Sequence, residues 1–487
     1  MKRRAETLEE DSSKRPRTTD ELQENVLEMW RDTFHESDIN ELALQSVTTV
    51  GSDYTSTDPN EMRKVTHVFL NSVKEENVKA SNQEASGRCW MFAAGNMFRH
   101  NIIRALGIRN FEFSMTYLFF FDKLERANYF LLEAKKTLGL PSEDRYVNYI
   151  FSDCMEDGGL WNIAANLIDK YGLVPKDAMP ETFQSVFSSD MNSILIRKLH
   201  GAAIAMRKIK NPTNEKLETI RETCMHQIYD TLTKFLGEPP KKFEWSFYSN
   251  DGDGHIIRNL TPSKFKSLTL PDVKLSDDFV ILSNYPQKPY FRTYEIQYSA
   301  GVQGGKPYTC VNLPIHELKK YAIKMLLDGP GHAVWFSADV SVGMSFEKSA
   351  LNDSLFNYER VFGKSYPLAK KDISEFQTGF AGHAMTLVGV DIDHVNRPIK
   401  WQVENSWGFS DNEEPGEDGF LSMSDRWFTD HVYEVIVHRS LLSRTMMNVV
   451  KINPIILTPW DTIHPAKHNF TAARFFYEKL LVCGSKK

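Results

Sequence analysis

Apolar residues in the first half of the chain recur mainly at the three- and four-residue spacing of an amphipathic helix. This pattern covers residues 89–106, and Gly107 follows where a helix C-cap is expected. A second such pattern begins after the glycine pair at 158–159 and stops at Gly172. Residues 181–240 continue with long helical patterns, so the sequence predicts a first half that is rich in helices.

The second half has more aromatic and β-branched residues, with glycine and proline between them, which is typical of strands and turns. Residues 241–312 have this character, and residues 318–329 form one further helical pattern. Strands are predicted for residues 332–340, 383–392 and 400–405. Because helices come first and strands later, this order favours an α+β fold over a doubly wound α/β fold.

The composition is that of an ordinary folded protein, since 41% of the 487 residues are hydrophobic and 25% are charged. The formal net charge of −6 gives no general attraction for phosphate, so neither nucleic acid nor an anionic membrane is the expected partner. The sequence has no apolar run of about 18 residues, and its charged start does not resemble a signal peptide. We therefore expect a cytoplasmic protein without membrane contact.

Residues 1–22 are charged, rich in serine and threonine and nearly free of large apolar residues, which predicts a disordered tail. Basic runs at 2–4 and 14–17 resemble a bipartite nuclear-import signal. A solvated basic tail that only aids solubility explains the same residues equally well. The sequence therefore leaves open whether the protein has a nuclear pool.

Five cysteines are scattered along the chain without a CxxC pair, which argues against both a disulfide framework and a structural zinc site. Cys89 differs from the others because a Gly-Arg turn precedes it and a helical pattern follows. The positive end of a helix and a nearby imidazolium both lower the pKa of a thiol. Cys154, Cys224 and Cys310 suit the role of small buried hydrophobic residues, whereas Cys89 is a candidate nucleophile.

His383 is the best partner for this thiol among the 14 histidines. Glycines precede it and a strand follows, which would hold the imidazole at the mouth of a strand, although structural histidines are also common at such places. A later strand ends at Asn405, whose amide oxygen can accept from one ring nitrogen and aim the other at the thiol. Trp407 would either shield that bond from water or serve simply as a core aromatic residue.

Acyl transfer also needs hydrogen-bond donors where an oxyanion develops. The backbone N–H of Cys89 is unpaired if this residue begins a helix, and the side-chain amide of Gln83 can supply a second donor. On its own, Gln83 would be an ordinary loop residue. Its position shortly before Cys89 makes it a candidate for the oxyanion hole.

Together these residues resemble the papain superfamily of cysteine peptidases, and longer motifs resemble its bleomycin hydrolase branch. The matching stretches include NQEASGRCWMFA at 82–93, DGGLW at 157–161, GHAMTL at 382–387, WQVENSWG at 401–408 and PIILTPWD at 454–461. They occur in family order from about residue 60 to residue 461, so the resemblance covers most of the chain.

The resemblance implies a papain-like core with a helical half and an antiparallel, β-barrel-like half. Two parts of the chain would form this core, residues 23–180 and residues 330–461. A helical insertion at 181–265 and a strand-rich insertion at 266–329 would separate them. Residues 462–487 would be a C-terminal extension that is atypical of the family.

The resemblance also implies a cysteine aminopeptidase that assembles as a homohexamer and hydrolyses peptide or amide bonds without a metal or organic cofactor. Catalysis would use Cys89, His383 and Asn405, with Gln83 and the Cys89 N–H as the oxyanion hole. An inactive ring that binds nucleic acid through the basic tail is an alternative from another class. The presence of all four of these residues argues against that alternative.

The backbone at Gly158 and Gly159 would pair with an extended substrate, although a helix-capping turn is another role for these glycines. Trp90 and Trp407 would support the site. In this family the chain normally ends shortly after the PWD motif, and the short tail lies in the cleft, where it engages the amino end of the substrate. Because residues 462–487 follow that motif here, an endopeptidase-like variant with an altered cleft is a second alternative.

Overall fold

The structure is a computed structural model, and it describes residues 21–76, 78–152, 154–329, 333–409 and 418–463. The basic runs predicted as an import signal lie outside the described residues, as does nearly all of the predicted C-terminal extension. None of the helices in the described part of the chain combines the length and apolarity needed to cross a membrane.

Helices dominate the described chain as far as residue 236. In chain order the helices are α1 (Glu24–His35), α2 (Asp38–Val50), α3 (Ser52–Ser56), α4 (Pro59–Met62), α5 (Cys89–Leu106), α6 (Met115–Lys136), α7 (Arg145–Ser152), α8 (Trp161–Tyr171), α9 (Phe183–Val186), α10 (Ser189–Arg207), α11 (Asn214–Leu236), α12 (Pro262–Thr269), α13 (Leu275–Asp278), α14 (Ile315–Asp328), α15 (Tyr358–Phe362), α16 (Lys370–Phe376), α17 (Asp425–His431) and α18 (Arg444–Val450).

Strands occur only beyond residue 242 in the described chain. In chain order the strands are β1 (Phe243–Tyr248), β2 (Gly254–Leu260), β3 (Phe279–Ser283), β4 (Arg292–Ile296), β5 (Thr309–Asn312), β6 (Val334–Ala338), β7 (Met344–Ser345), β8 (Ala350–Leu351), β9 (His383–Ile392), β10 (Pro398–Glu404), β11 (Phe420–Ser424), β12 (Val432–His438) and β13 (Ile455–Leu457).

The chain divides into two compact units, and the described part of the smaller one consists of residues 21–62 and 354–366. Its described part contains the helices α1 to α4 and α15. Ser37 caps the start of α2 by accepting a hydrogen bond from the N–H of Asn40. Neither α1 nor α2 contains a buried residue, so these helices contribute no core.

The larger unit combines residues 63–353 with residues 367–487 and contains a mixed sheet. Its strand order is β13-β4-β5-β3-β12-β6-β9-β10-β11-β8-β7. The pairs β3-β5, β4-β13 and β8-β11 are parallel, and the other neighbouring strands are antiparallel. A separate antiparallel pair joins β1 to β2.

Helix α5 packs against β9 at the centre of this unit. Almost all of its residues are buried, and the hydroxyl of Thr386 in β9 donates to the carbonyl oxygen of Ala93 in α5 at 3.2 Å. The register of β9 and β10 pairs Thr386 with Glu404, so the chain that leaves β10 runs beside the start of β9. This arrangement brings the start of α5, the start of β9 and the end of β10 together.

The structure confirms the α+β class and most of the predicted elements. Gly107 ends α5 in the left-handed conformation, with φ 59° and ψ 41°, as its expected role as a C-cap requires. The strand predicted at 332–340 is shorter, because β6 covers Val334–Ala338, and β10 begins two residues before the predicted start. The β-barrel-like arrangement and the boundaries of the core and insertions stay predictions.

Candidate active site

Cys89 is the first residue of α5, and its backbone N–H has no backbone partner among the described residues. The N–H of Ala384, the second residue of β9, reaches its sulfur. This contact places the thiol beside the start of β9. Cys89 is 6% exposed, and burial raises the pKa of its thiol to about 11, although the nearby backbone N–H groups lower it.

The N–H groups at the helix start lower the pKa of Cys89, as expected, but desolvation outweighs them and the net pKa is raised. Cys154, Cys224 and Cys310 are also buried, and the sulfur of Cys154 lies 3.5 Å from Nε2 of His200, so Cys154 is not simply a small hydrophobic residue. Burial alone thus does not distinguish Cys89 from these other thiols. The position of Cys89 beside the start of β9 does distinguish it from them.

His383 is the first residue of β9 and is buried. Its Nε2 atom lies 2.8 Å from the amide oxygen of Asn405, the residue that follows β10. An acceptor at this position requires the proton to be on Nε2, which leaves Nδ1 as the nitrogen that can take a proton. Burial lowers the pKa of His383 to about 4, and the bond to Asn405 only partly offsets this effect.

Trp407 stacks on the ring of His383, with 4.5 Å between the ring centroids and 25° between the planes. Trp407 thus covers the imidazole ring. It also lies close to the hydrogen bond between His383 and Asn405, which the sequence suggested it would shield. The amide oxygen of Asn405 also accepts from the N–H of Ser406 at 2.8 Å, which holds this amide in one orientation. The imidazole of His383 is therefore held by Trp407 and Asn405, and the amide of Asn405 is held by His383 and Ser406.

Gln83 is buried beside these residues with a defined amide orientation. Its Oε1 accepts from the hydroxyl of Ser406 at 2.6 Å, and its Nε2 donates to the carbonyl oxygen of Ser86 at 2.7 Å. Its backbone N–H donates to the carbonyl oxygen of Ser406 at 2.9 Å. An amide nitrogen has two protons, so one N–H of Gln83 stays available for a substrate oxygen.

Arg88 is a buried cation that sequence reasoning did not assign. Its Nη2 lies 2.9 Å from Oε2 of Glu181, and its Nε donates at 2.8 Å to the hydroxyl of Ser86, which in turn donates to the carbonyl oxygen of Gln83. Although burial acts in the opposite direction, the Arg88 charge holds the pKa of Glu181 below its usual value. The GRC triplet in the sequence is the only local signal of this role, and its partner is distant in the chain.

Asp157 is a second residue that sequence reasoning did not assign. Its Oδ1 accepts from Nζ of Lys123 at 2.7 Å and from the amide of Asn192 at 2.6 Å. Its Oδ2 accepts from the N–H of Gly87 at 3.3 Å, and its carbonyl oxygen accepts from the indole of Trp90 at 2.8 Å. Asp157 thus holds the chain on both sides of Cys89.

Burial would raise the pKa of Asp157, but the charge of Lys123 and the bonds from Lys123, Ser188 and Asn192 lower it to about 2. The carboxylate is therefore ionised at any physiological pH. Lys123 is fully buried, so each charge depends on the other for its stability.

Gly158 and Gly159 directly follow Asp157. A Cβ atom at Gly159 would lie 2.4 Å from the ring of Trp90, so only glycine fits against this indole. The carbonyl oxygen of Gly158 accepts from Nη2 of Arg126 at 2.6 Å. No partner is found among the described residues for the N–H or the carbonyl oxygen of Gly159. Gly159 is buried, and the pairing of its backbone with an extended substrate stays a prediction.

Among the described residues, no group of three or more histidine, cysteine, aspartate or glutamate side chains is arranged to hold a metal ion. A thiol, an imidazole oriented by an amide and two unpaired N–H groups therefore define the candidate site. This is the set of groups used by cysteine hydrolases that form acyl-enzymes.

The model of the Peptidase C1-like family matches residues 21–464, so the chain belongs to this family. Aminopeptidase G of Lactobacillus delbrueckii subsp. lactis is 37% identical over 401 residues, which are 82% of this chain and 89% of that protein. Bleomycin hydrolase of Homo sapiens is 33% identical over 409 residues, again 82% of this chain and 89% of that protein. The chain is a cysteine-type aminopeptidase of the bleomycin hydrolase type.

A solved structure supports the papain-like fold. The crystal structure of pepw from Lactobacillus rhamnosis HN001 matches this chain with a TM-score of 0.86 and 32% sequence identity. The match covers 91% of this chain and 99% of that one.

Proposed function

We propose that this protein removes N-terminal residues from peptides, and hydrolyses related amides, through an acyl-enzyme at Cys89. The observation that carries the proposal is the juxtaposition of three groups. The sulfur of Cys89 meets the N–H of Ala384, the residue next to His383, and His383 bonds to Asn405 at 2.8 Å. The unpaired Nδ1 of His383 is the base available to this thiol.

Burial favours the uncharged forms of both Cys89 and His383. In the proposed first step the thiol proton therefore moves to Nδ1 of His383 as the sulfur attacks the substrate carbonyl. The opposite charges that form on the two buried groups compensate each other, and their attraction is stronger there than in bulk water. The carbonyl oxygen becomes an oxyanion, which accepts from the N–H of Cys89 and from the amide of Gln83.

The tetrahedral intermediate then collapses. The C–N bond breaks, the imidazolium of His383 donates its proton to the departing amine, and the acyl group stays on the sulfur of Cys89. Water next gives a proton to His383 and attacks the thioester, the same two donors hold the second oxyanion, and the thiolate leaves. It regains its proton from His383, which completes the cycle.

The backbone of Gly159 would align the substrate by strand-like pairing, since its N–H and carbonyl oxygen are both unpaired. The indole of Trp90 packs where a side chain of this residue would lie, so it holds the backbone of Gly159 in place. A homohexameric assembly and a cytoplasmic location complete the proposal. Light scattering of the purified protein tests the assembly.

The decisive experiment compares kcat/KM on an aminoacyl fluorogenic amide and on its N-acetylated twin. We expect acetylation to remove nearly all activity, because an aminopeptidase recognises the free amino group. Cys89→Ala is the control that assigns the turnover to this site. Equal turnover of both substrates would replace the aminopeptidase assignment with an endopeptidase-like one, and no turnover of either would contradict the proposed mechanism.

A further inference from the structure

A cavity of about 410 Å³ lies in the larger unit between α8 and the strands β3, β4 and β5. Its apolar wall includes Phe279, Ile281 and Met447. Among the described residues that line it, none belongs to the proposed catalytic set. Ligand pockets commonly have volumes of about 300–1,000 Å³, so this cavity has room for a small molecule.

Two asparagines of α8 face the cavity with unequal hydrogen bonding. Asn166 is satisfied, because its Nδ2 donates to the carbonyl oxygens of Ala300 and Lys306 and its Oδ1 accepts from the N–H of Lys306. Asn162 donates to the carbonyl oxygens of Ser299 and Lys306, at 2.9 and 3.1 Å. Its Oδ1 has no partner among the described residues, although Asn162 is only 6% exposed.

An unpaired buried acceptor is unfavourable relative to a paired one, because it has lost its hydrogen bonds to water. A ligand that directs an N–H group at Oδ1 of Asn162 removes this cost.

The charged residues of the wall fall into two ion-paired residues and two residues outside any described ion pair. Asp277 forms ion pairs with both Lys306 and Lys274, so the charges of Asp277 and Lys306 are already engaged. Arg439 donates to the carbonyl oxygen of Asp277 at 3.3 Å, and the hydroxyl of Thr309 donates to Glu295 at 3.5 Å. Neither Arg439 nor Glu295 forms an ion pair with any described residue. The cavity therefore presents one cation and one anion beside an apolar wall.

We propose that this cavity binds a small zwitterion with an apolar side chain, namely a free apolar amino acid or a dipeptide. The carboxylate of the ligand pairs with Arg439, and its ammonium group faces Glu295 and Oδ1 of Asn162. The apolar side chain packs against the apolar wall. Such molecules are products of the proposed reaction, and in this respect the inference rests on the proposed function.

Binding is best measured by isothermal titration calorimetry on the full chain carrying Cys89→Ala, which prevents cleavage of the probes. The probes are L-leucine, Leu-Leu and the neutral twin N-acetyl-L-leucine amide. We expect a dissociation constant of about 1 mM or lower for at least one zwitterion, which is about −4 kcal/mol or better, and binding at least tenfold weaker for the neutral twin. The two zwitterions show whether the amino acid or the dipeptide is the preferred ligand.

Two variants place the binding in the cavity. Val450→Trp fills it from the last residue of α18, and Arg439→Ala removes the cation at an exposed position; each should weaken binding at least tenfold. Arg426→Ala is the matched control, because Arg426 is exposed and its one ion pair within the described segments is with Asp430 at 3.8 Å; this variant should bind as before. If Val450→Trp does not unfold cooperatively, Arg439→Ala carries the test alone.

The proposal is overturned if neither zwitterion binds, or if binding is unchanged in both cavity variants, which would place the ligand in the catalytic cleft. A failure of the proposed function has a different signature. The protein with Cys89 intact would then turn over no aminoacyl amide, while the calorimetric result at the cavity would be unaffected.

Discussion

Two groups of buried titratable residues lie in the larger unit and differ in how fully they are hydrogen-bonded. One is the catalytic pair of Cys89 and His383, and the other surrounds Glu434 in β12. Burial shifts all three groups toward their uncharged forms: it raises the pKa of Cys89 to about 11, lowers that of His383 to about 4 and raises that of Glu434 to about 7.

Around Glu434 every acceptor is used. The hydroxyls of Tyr308 and Tyr285 donate to its Oε1, and the hydroxyl of Ser337 donates to its Oε2 at 2.9 Å. At the catalytic pair, by contrast, Nδ1 of His383 and the N–H of Cys89 keep unused capacity. Desolvation is therefore common to both groups. Within the described chain, only the catalytic pair has unpaired atoms that can form hydrogen bonds with a substrate.

The largest expected effect separates the two groups directly. Cys89→Ala should lower kcat/KM by about 10⁴-fold or more, because the proposed nucleophile is lost. Cys310→Ala is the matched control, since it removes another buried thiol that lies near Glu434. It should lower the midpoint of thermal unfolding while keeping kcat/KM within about tenfold. Equal losses of activity in both variants would contradict the assignment of Cys89.

Asp157→Asn tests a charge that is stabilised by its partner. The change leaves Lys123 buried without a carboxylate and should lower the free energy of unfolding by about 3–5 kcal/mol, measured by urea denaturation at pH 7. The double variant Lys123→Met, Asp157→Asn removes both charges and should recover much of this loss. If the double variant is no more stable than Asp157→Asn, the loss does not come from the unpaired lysine.

Gln83→Ala tests one of the unpaired donors. We expect kcat on the aminoacyl amide to fall by about 10²- to 10³-fold with a much smaller change in KM, because an oxyanion donor acts in the transition state. Ser406→Ala, which removes only the hydroxyl that orients the amide of Gln83, should have a smaller effect of about tenfold. A rise in KM with unchanged kcat would instead indicate that Gln83 binds the ground state.

Glu434→Gln should have the smallest effect on activity. It tests the group in which every carboxylate oxygen accepts a hydrogen bond. A pKa raised from 4.5 to about 7 means that the stability from protonated Glu434 is complete below pH 4.5 and is lost as pH rises through 7. This loss amounts to about 3 kcal/mol. In the glutamine variant the free energy of unfolding should lack this decline between pH 4.5 and 7, with kcat/KM nearly unchanged. If the free energy of unfolding declines equally with pH in the parent protein and in the glutamine variant, the raised pKa of Glu434 is contradicted.

Local sequence was sufficient to predict the elements and residues that make up the candidate site. Glycine at the end of α5 and apolar spacing within it indicated a helix that begins at Cys89, and strand patterns placed His383 at the start of β9. The structure brings both of them together with Asn405 and Gln83. The roles proposed for these residues rest on general chemistry that the residue types themselves suggest.

The residues that sequence reasoning missed share one property. Arg88 bonds to Glu181, and Asp157 bonds to Lys123 and to the chain on both sides of Cys89. Each of these bonds joins segments that are far apart in sequence. No local pattern reports such pairing, because it depends on which elements pack together.

The sequence by itself determined the class of fold, the helix and strand that carry the thiol and imidazole, and the identity of the candidate reacting groups, since these follow from short-range spacing and side-chain chemistry. Only the tertiary structure decided the electrostatics. The helix start alone favours a lowered pKa for Cys89, whereas packing of α5 against β9 buries the thiol and raises it. Desolvation and hydrogen-bond saturation are properties of assembled surfaces, so they arise only when distant segments meet.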